Sequence, residues 1–171
     1  IEEGGVLIPF LVQWPEKLAK GARYEHPVSM LDLMPTFASV AGAETPDNLD
    51  GVNLMPYITG EKSGIPHETL YWRMISKSGL RHGDWKLIRF DDKPTALYNL
   101  VDDPYERNNL MDSLPDKLNE LEALYENWDK DNIPSIIPNP RREDYAEANR
   151  LFKNDIDYRV VPPEERKDLK D

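Results

Sequence analysis

A histidine and an arginine at the two ends of a predicted strand could contact an anion. His67 follows Pro66 just ahead of that strand, and Arg73 lies near its far end. A guanidinium binds sulfate or phosphate through its forked donors, and a loop histidine beside an aromatic strand could touch the same kind of group. The simpler interpretation of the two residues is an exposed histidine and a surface arginine that bind no ligand.

Two pairs of adjacent carboxylates, Asp91-Asp92 and Asp102-Asp103, could contribute to a cation site. A hard cation such as calcium needs roughly six to eight oxygens gathered from several places in a chain. Both pairs lie close to a proline in a turn context, where aspartate commonly bonds its own backbone. We therefore predict that they are solvated turn residues, and we expect no metal ligand in this chain.

The rest of the sequence offers little for catalysis. It contains no cysteine, which excludes disulfides, thiolate metal sites and cysteine nucleophiles, and it has three histidines. The sequence has no glycine-rich phosphate loop, no His-x-x-x-His pair and no Gly-x-Ser-x-Gly turn. From the residues alone we predict no complete set of catalytic residues.

The composition restricts the possible partners. The 171 residues include 21 lysines and arginines against 32 aspartates and glutamates, a formal net charge of −11. This balance argues against nucleic acid and against an anionic membrane surface, because both need a basic face. No stretch approaches the roughly 20 apolar residues of a membrane helix. The hydrophobic content of 39% permits a modest core.

The first part of the chain predicts one strand and two helical segments. Residues 6–12 form an unbroken apolar run, which is typical of a strand buried on both faces. Ser29 is placed to cap a helix over about residues 30–41 that ends at Gly42, and residues 54–58 predict a short helical turn. The helical spacing predicts that four apolar residues of the longer helix pack in a core: Met34, Phe37, Val40 and Ala41.

Further along, the pattern changes to short strands rich in aromatic residues. Segments separated by turn signals predict an antiparallel meander of three or four strands, at residues 70–74, 79–81, 85–90 and 96–100. Ser113 is predicted to cap an amphipathic helix that runs to Trp128 and covers one face of this sheet. A sheet with a covering helix is a small α+β unit. The proline-punctuated tail, residues 131–171, is predicted to be extended or partly disordered.

Short motifs follow one another in order over residues 3 to about 128. They are Glu3-Gly4-Gly5-Val6 with Trp14-Pro15, Asp32-Leu33-Met34-Pro35-Thr36, Asp50-Gly51-Val52-Asn53-Leu54, residues 67–72, residues 80–88, and Leu97-Tyr98-Asn99-Leu100 with Asp103-Pro104-Tyr105-Glu106. In this order and spacing they resemble the C-terminal part of the formylglycine-dependent sulfatases, within the alkaline-phosphatase-like superfamily.

The resemblance implies a chain of three parts. Residues 1–66 would close the large α/β domain, residues 67–130 would form a small C-terminal subdomain of sheet and helix, and residues 131–171 would be a tail. The fold class is then an α/β fragment followed by an α+β subdomain. The formylglycine, the calcium-binding acids and the catalytic residues of the family would lie upstream, so no cofactor and no catalytic residue are expected in this chain.

By the same resemblance, the intact enzyme would hydrolyse the sulfuric ester of a sulfated sugar or an aryl sulfate. This chain would supply scaffold and one wall of the substrate pocket, and would be inactive alone. His67, Trp72 and Arg73 are the candidates for that wall, since an indole suits a sugar or aryl ring and a guanidinium suits a sulfate. The expected partners are the sulfated substrate and the upstream sulfatase domain. The expected location is periplasmic, secreted or lysosome-like.

Two other interpretations stay open on the sequence. The chain could belong to a phosphodiesterase or phosphonate hydrolase of the same superfamily, because the pattern from Asp32 to Thr36 is shared more widely than sulfate chemistry. It could also be a non-catalytic carbohydrate-binding or interaction module, in which exposed aromatic residues would stack on sugars.

Overall fold

A four-stranded antiparallel sheet is the centre of the structure. This computed structural model describes residues 1–74 and 77–133. The strands are Thr69–Met74 (β1), Lys77–His82 (β2), Trp85–Phe90 (β3) and Lys93–Asn99 (β4). Their order in the sheet is β1-β2-β3-β4, and each neighbouring pair is antiparallel. The predicted meander is therefore confirmed.

One long helix lies against the sheet. It spans Pro115–Asp129 (α4) and contacts β2 and β3. The rings of Tyr71 in β1 and Trp128 in α4 stack with their centroids 4.7 Å apart. Aromatic stacking and burial of apolar surface both stabilise this contact. The buried core between sheet and helix consists of Leu80, Leu87, Leu97, Leu121 and Tyr125.

The start of α4 differs from the prediction. The residue in the N-cap position is Leu114, and no side chain caps the helix. The Ser113 hydroxyl instead donates to the Leu110 carbonyl at 3.0 Å. The predicted Ser113 cap is wrong, and a physical reason is Pro115 in the first turn. Its fixed φ suits a helix start, and it has no backbone N–H to be capped.

Short helices precede the sheet. They are Glu3–Val6 (α1), a 3-10 turn at Met30–Asp32, Leu33–Ala41 (α2) and Met55–Ile58 (α3). The prediction that Ser29 caps is confirmed: its hydroxyl accepts from the Leu31 N–H at 3.2 Å, and its own N–H donates to Asp32 Oδ2 at 2.7 Å. Gly42 ends α2 in the left-handed conformation, at φ 68°. A side chain is disfavoured at that φ, which explains the glycine.

The apolar run at residues 6–12 is not a strand. Val6 ends α1 and residues 7–12 have no regular structure. Leu7 is 70% exposed and Leu11 is 93% exposed. A strand needs a partner for its backbone groups, and none of the four described strands runs beside this segment. Pro9 also lacks the N–H that a sheet interior requires.

The apolar side of α2 is exposed, contrary to prediction. Met34, Phe37 and Val40 are all exposed, while Pro35 and Thr36 are buried. The inner side of the helix is the one that bonds to the loop before α3, because the Thr36 hydroxyl accepts from the Leu54 N–H at 2.9 Å. Periodicity identified an apolar stripe correctly, but the described residues place nothing over it.

The predicted tail lies largely outside the described residues, which end at residue 133. Residues 1–132 form one unit by their contacts, so the boundary at residue 66 stays a prediction. No helix within residues 1–74 or 77–133 is long and apolar enough to cross a membrane.

Candidate functional site

His67 is bound to a buried carboxylate. Its Nε2 lies 2.7 Å from Asp32 Oδ1, and its side chain is 11% exposed. Asp32 has no exposed surface and also accepts from the backbone N–H groups of Ser29 and Val52, at 2.7 and 2.8 Å. A buried carboxylate needs such donors, because its lost hydration is otherwise uncompensated. The Nδ1 of His67 is the ring nitrogen that this pair leaves for another group.

A close backbone contact brings the Asp32 site together. Gly51 packs against the 3-10 turn, where an added Cβ would lie 2.0 Å from the Leu31 carbonyl oxygen. Only glycine allows this approach, and it places the Val52 N–H on Asp32. Thr36 bonds the same loop at Leu54. The motifs that begin at Asp32 and Asp50 are therefore interlocked, and they supply the scaffold beneath His67.

Trp72 and Arg73 lie on opposite faces of the sheet, because successive strand residues alternate. Arg73 is on the face that α4 covers, and its Nη1 donates to Asp129 Oδ1 at 2.7 Å. Trp72 is on the second face, opposite Gly79, and its ring centroid lies 5.9 Å from Lys86 Nζ. The three predicted wall residues thus have separate contacts: His67 with Asp32, Trp72 beside Lys86, and Arg73 with Asp129. A shared role in substrate binding stays a prediction.

The second face of the sheet carries an ionic cluster that the sequence interpretation missed. Lys86 has no exposed surface, and its Nζ lies 2.6 Å from Glu3 Oε1 and 2.9 Å from Glu106 Oε1. The Glu3 backbone N–H donates to Glu106 Oε2 at 2.8 Å, and Arg81 Nη1 is 3.9 Å from Glu3 Oε2. A usable signal was the charged residue within the apolar strand Trp85–Phe90, since a lysine there must be paired if it is buried.

Two tyrosines on the sheet and on α4 are affected by burial. Desolvation raises the pKa of Tyr98, and the carboxylates of Glu106 and Asp103 raise it further. Desolvation also raises the pKa of Tyr125, whose ring lies 4.6 Å from the Arg89 guanidinium. In each tyrosine burial disfavours the phenolate, while the Arg89 guanidinium beside Tyr125 acts in the opposite direction.

The aspartate pairs occupy turns, but one member is not solvated. Asp103 is 8% exposed and its Oδ2 accepts from the N–H groups of Arg107 and Asn108, both at 2.7 Å. The prediction of a solvated turn residue is wrong at Asp103, because its carboxylate organises the following loop. Asp91 and Asp92 are exposed in the β3–β4 turn.

The calcium that the resemblance implies does not fit the described residues. Within residues 1–74 and 77–133, no group of three or more His, Asp or Glu side chains could hold a metal ion. A calcium site needs several oxygens around one point. No chemical step is therefore assigned to a metal bound by these residues.

Comparison with known proteins identifies the family. Residues 1–130 match the family model described as N-sulphoglucosamine sulphohydrolase, C-terminal, so the chain belongs to the sulfatase family. It is 31% identical to arylsulfatase A of Bos taurus over 154 residues, which cover 71% of this chain and 30% of that protein. It is 44% identical to steryl-sulfatase of Mus musculus over 71 residues, which cover 40% of this chain and 11% of that protein.

Solved structures agree with this assignment. The crystal structure of Ps i-CgsB is 28% identical, with a TM-score of 0.61, and the match covers 92% of this chain and 34% of that chain. A 2-O GAG sulfatase is 27% identical with a TM-score of 0.52, over 64% of this chain and 27% of that chain. The chain therefore spans about a third or less of the length of each of these four relatives.

Proposed function

We propose that this chain is the C-terminal portion of a sulfatase that hydrolyses the sulfuric ester of a sulfated sugar or an aryl sulfate. The formylglycine and calcium of that reaction belong to an upstream part, and the chain alone is inactive. The remaining α/β domain is its main partner. The enzyme works in a periplasmic, secreted or lysosome-like compartment.

The observation that carries this proposal is the exposed apolar surface of residues 1–66. The structure describes every residue of this segment, and Leu54 is the one large apolar side chain in it that is buried. Exposed apolar surface on this scale marks an interface. The exposed apolar residues that require a cover are Leu7, Ile8, Phe10, Leu11, Val12, Met30, Leu31, Met34, Phe37 and Val40. The rest of the α/β sulfatase domain of the same protein would cover these residues with its own apolar surface.

We propose His67, Trp72 and Arg73 as contacts of the substrate, with Trp72 and Arg73 reaching it from the two faces of the edge strand β1. Trp72 is half-buried and offers a ring for stacking on a sugar, and Lys86 lies beside that ring. His67 keeps Nδ1 for a hydroxyl or sulfate oxygen while Asp32 orients its ring. The relative Ps i-CgsB has been solved in complex with k-i-k-neocarrahexaose, which supports a glycan substrate class.

A set of variants in the full-length enzyme tests this wall. His67→Gln retains an amide donor for Asp32 but loses the second ring nitrogen, so a binding role predicts a raised KM at unchanged thermal stability. His26→Gln is the matched control, because His26 is exposed and outside the wall. Trp72→Ala and Arg73→Gln complete the set. If kcat/KM for the best sulfate ester stayed at the wild-type value in all three wall variants, the wall assignment would fail.

A further inference from the structure

A fully buried lysine stands on the sheet face opposite α4. Lys86 Nζ is 2.6 Å from Glu3 Oε1 and 2.9 Å from Glu106 Oε1. An ammonium removed from water is stable only with such partners. The Glu3 N–H also donates to Glu106 Oε2, so the two glutamates are joined to each other as well as to the lysine.

These residues come from three distant segments. Glu3 lies in α1, Lys86 in β3, and Glu106 in the loop after β4. Glu106 has a φ of +53°, a left-handed conformation that is uncommon for a residue with a side chain. Such a conformation persists where surrounding contacts hold it. Here the Glu106 N–H donates to the Asp103 carbonyl at 3.2 Å, and the Glu106 carboxylate contacts Lys86 and the Glu3 N–H.

The first residue of the chain is seated on the same face. Gly79 in β2 lies beneath Ile1, and an added Cβ at position 79 would be 3.3 Å from Ile1 Cγ2. The same atom would be 2.4 Å from the Leu87 carbonyl oxygen. Trp72 pairs with Gly79 across β1 and β2 and therefore lies on this face as well. Residues 1–3 thus contact the sheet face that carries Trp72.

We propose that Lys86 is a positioning residue which, with Glu106, holds Glu3 and hence residues 1–6 against the Trp72 face of the sheet. The inference rests on the proposed function: in the longer enzyme, the chain that comes from the catalytic part reaches the sheet at Glu3. The Lys86 cluster, defined as Lys86, Glu3 and Glu106, then sets the distance between the reacting groups and the Trp72 face of the sheet. Small errors in such a distance reduce the rate of the chemical step.

Amine footprinting of the full-length protein tests the contact itself. A short pulse of an acetylating reagent should modify Lys86 at least about tenfold more slowly than Lys77, because access to Lys86 requires local opening. Glu3→Gln keeps the side-chain shape but removes the charge, so it should raise the Lys86 rate and the amide exchange of residues 3–6. Glu2→Gln is the control: Glu2 pairs with Lys77 at 2.8 Å in an exposed contact, and its loss should leave Lys86 protected.

Two results would overturn the contact: Lys86 modified as fast as Lys77 in the wild type, or unchanged Lys86 modification in both Glu3→Gln and Glu106→Gln. Glu106→Gln provides a second variant in case Glu3→Gln does not fold. Retained circular dichroism in either variant shows that faster modification reflects local release and not general unfolding.

Steady-state kinetics of the same variants test the positioning role. Glu3→Gln should lower kcat by about tenfold with little change in KM, since the substrate wall is intact but displaced from the reacting groups. A wild-type kcat in a variant that releases residues 1–6 would overturn positioning. A wild-type enzyme that hydrolyses no sulfate ester would instead refute the proposed function, and the footprint would still decide whether Lys86 holds the segment.

Discussion

At the scale of single residues, we expect substitution of Asp32 to lower the free energy of unfolding strongly. Its carboxylate satisfies two backbone N–H groups and His67 without any exposed surface. Asp32→Ala would leave these donors buried and unpaired, so we expect a loss of about 3 kcal/mol or more in the free energy of unfolding. Urea denaturation of the full-length protein measures this loss in the free energy of unfolding. Asp50→Ala, at an exposed position of the neighbouring motif, should cost little. Equal losses in the two variants would contradict the role given to Asp32.

A second residue-scale prediction concerns pH. A hydrogen bond from Lys77 is the main cause that lowers the pKa of Glu2 from 4.5 to about 2. Because the folded-state pKa lies below the unfolded one, this group stabilises the fold above about pH 4.5, and the contribution is lost as pH falls towards 2. The effect is small, since the side chain is half exposed and screened by solvent. The stability difference between wild type and Glu2→Gln should therefore shrink between pH 6 and pH 3. A difference independent of pH would contradict this pairing.

At the scale of elements, the turn between β3 and β4 is open to improvement. Asp91 and Asp92 both have positive φ, at 46° and 61°, which is the backbone of a type I′ hairpin turn. Asn-Gly suits this turn better than Asp-Asp, because glycine adopts positive φ without a steric cost. The double variant D91N/D92G should raise the free energy of unfolding by about 0.5 to 1 kcal/mol. Thermal and urea denaturation test it, and a lower midpoint in both would show that the turn has another geometry.

The meander was predictable because its signals are local. Gly83 and the aspartates of the β3–β4 turn mark the strand ends, and the residues between them have strand-forming side chains. The run at residues 6–12 was mispredicted because an apolar run records only the need for burial, while a strand also requires a neighbour to pair with. The stripe of α2 was mispredicted on a related ground: helical periodicity indicates that apolar side chains need burial, but not which segment covers them.

The candidate site was less predictable than the sheet. Residue chemistry selected His67, Trp72 and Arg73, but alternation along β1 separates Trp72 from Arg73, and the partner of His67 lies 35 positions away. The Lys86 cluster is harder still to foresee, because its members are 83 and 20 positions apart in the chain. Sequence spacing within a strand or helix carries no information on such contacts.

At the scale of the whole molecule, the exposed apolar residues of segment 1–66 predict how the 171-residue chain behaves alone. Their uncovered surface should bind a hydrophobic dye and favour self-association. The variant L11E/F37E introduces charge at two exposed positions and should reduce both properties, with the unfolding of the sheet unchanged. Light scattering and dye fluorescence measure them. The control is Tyr105→Glu, because Tyr105 is an aromatic residue outside this segment and is 74% exposed. A chain that is monomeric and free of dye binding would contradict the proposed interface.

As the C-terminal portion proposed above, the chain completes an enzyme for sulfate esters. The most direct measurement is kcat/KM of the full-length protein on matched aryl substrates: a sulfate monoester, a phosphonate monoester and a phosphate diester. We expect the sulfate ester to be hydrolysed at least about a hundredfold more efficiently than the other two, because the site must stabilise the charge of a transferring sulfuryl group. Preference for the phosphonate or the diester, or the absence of sulfate release, would contradict it.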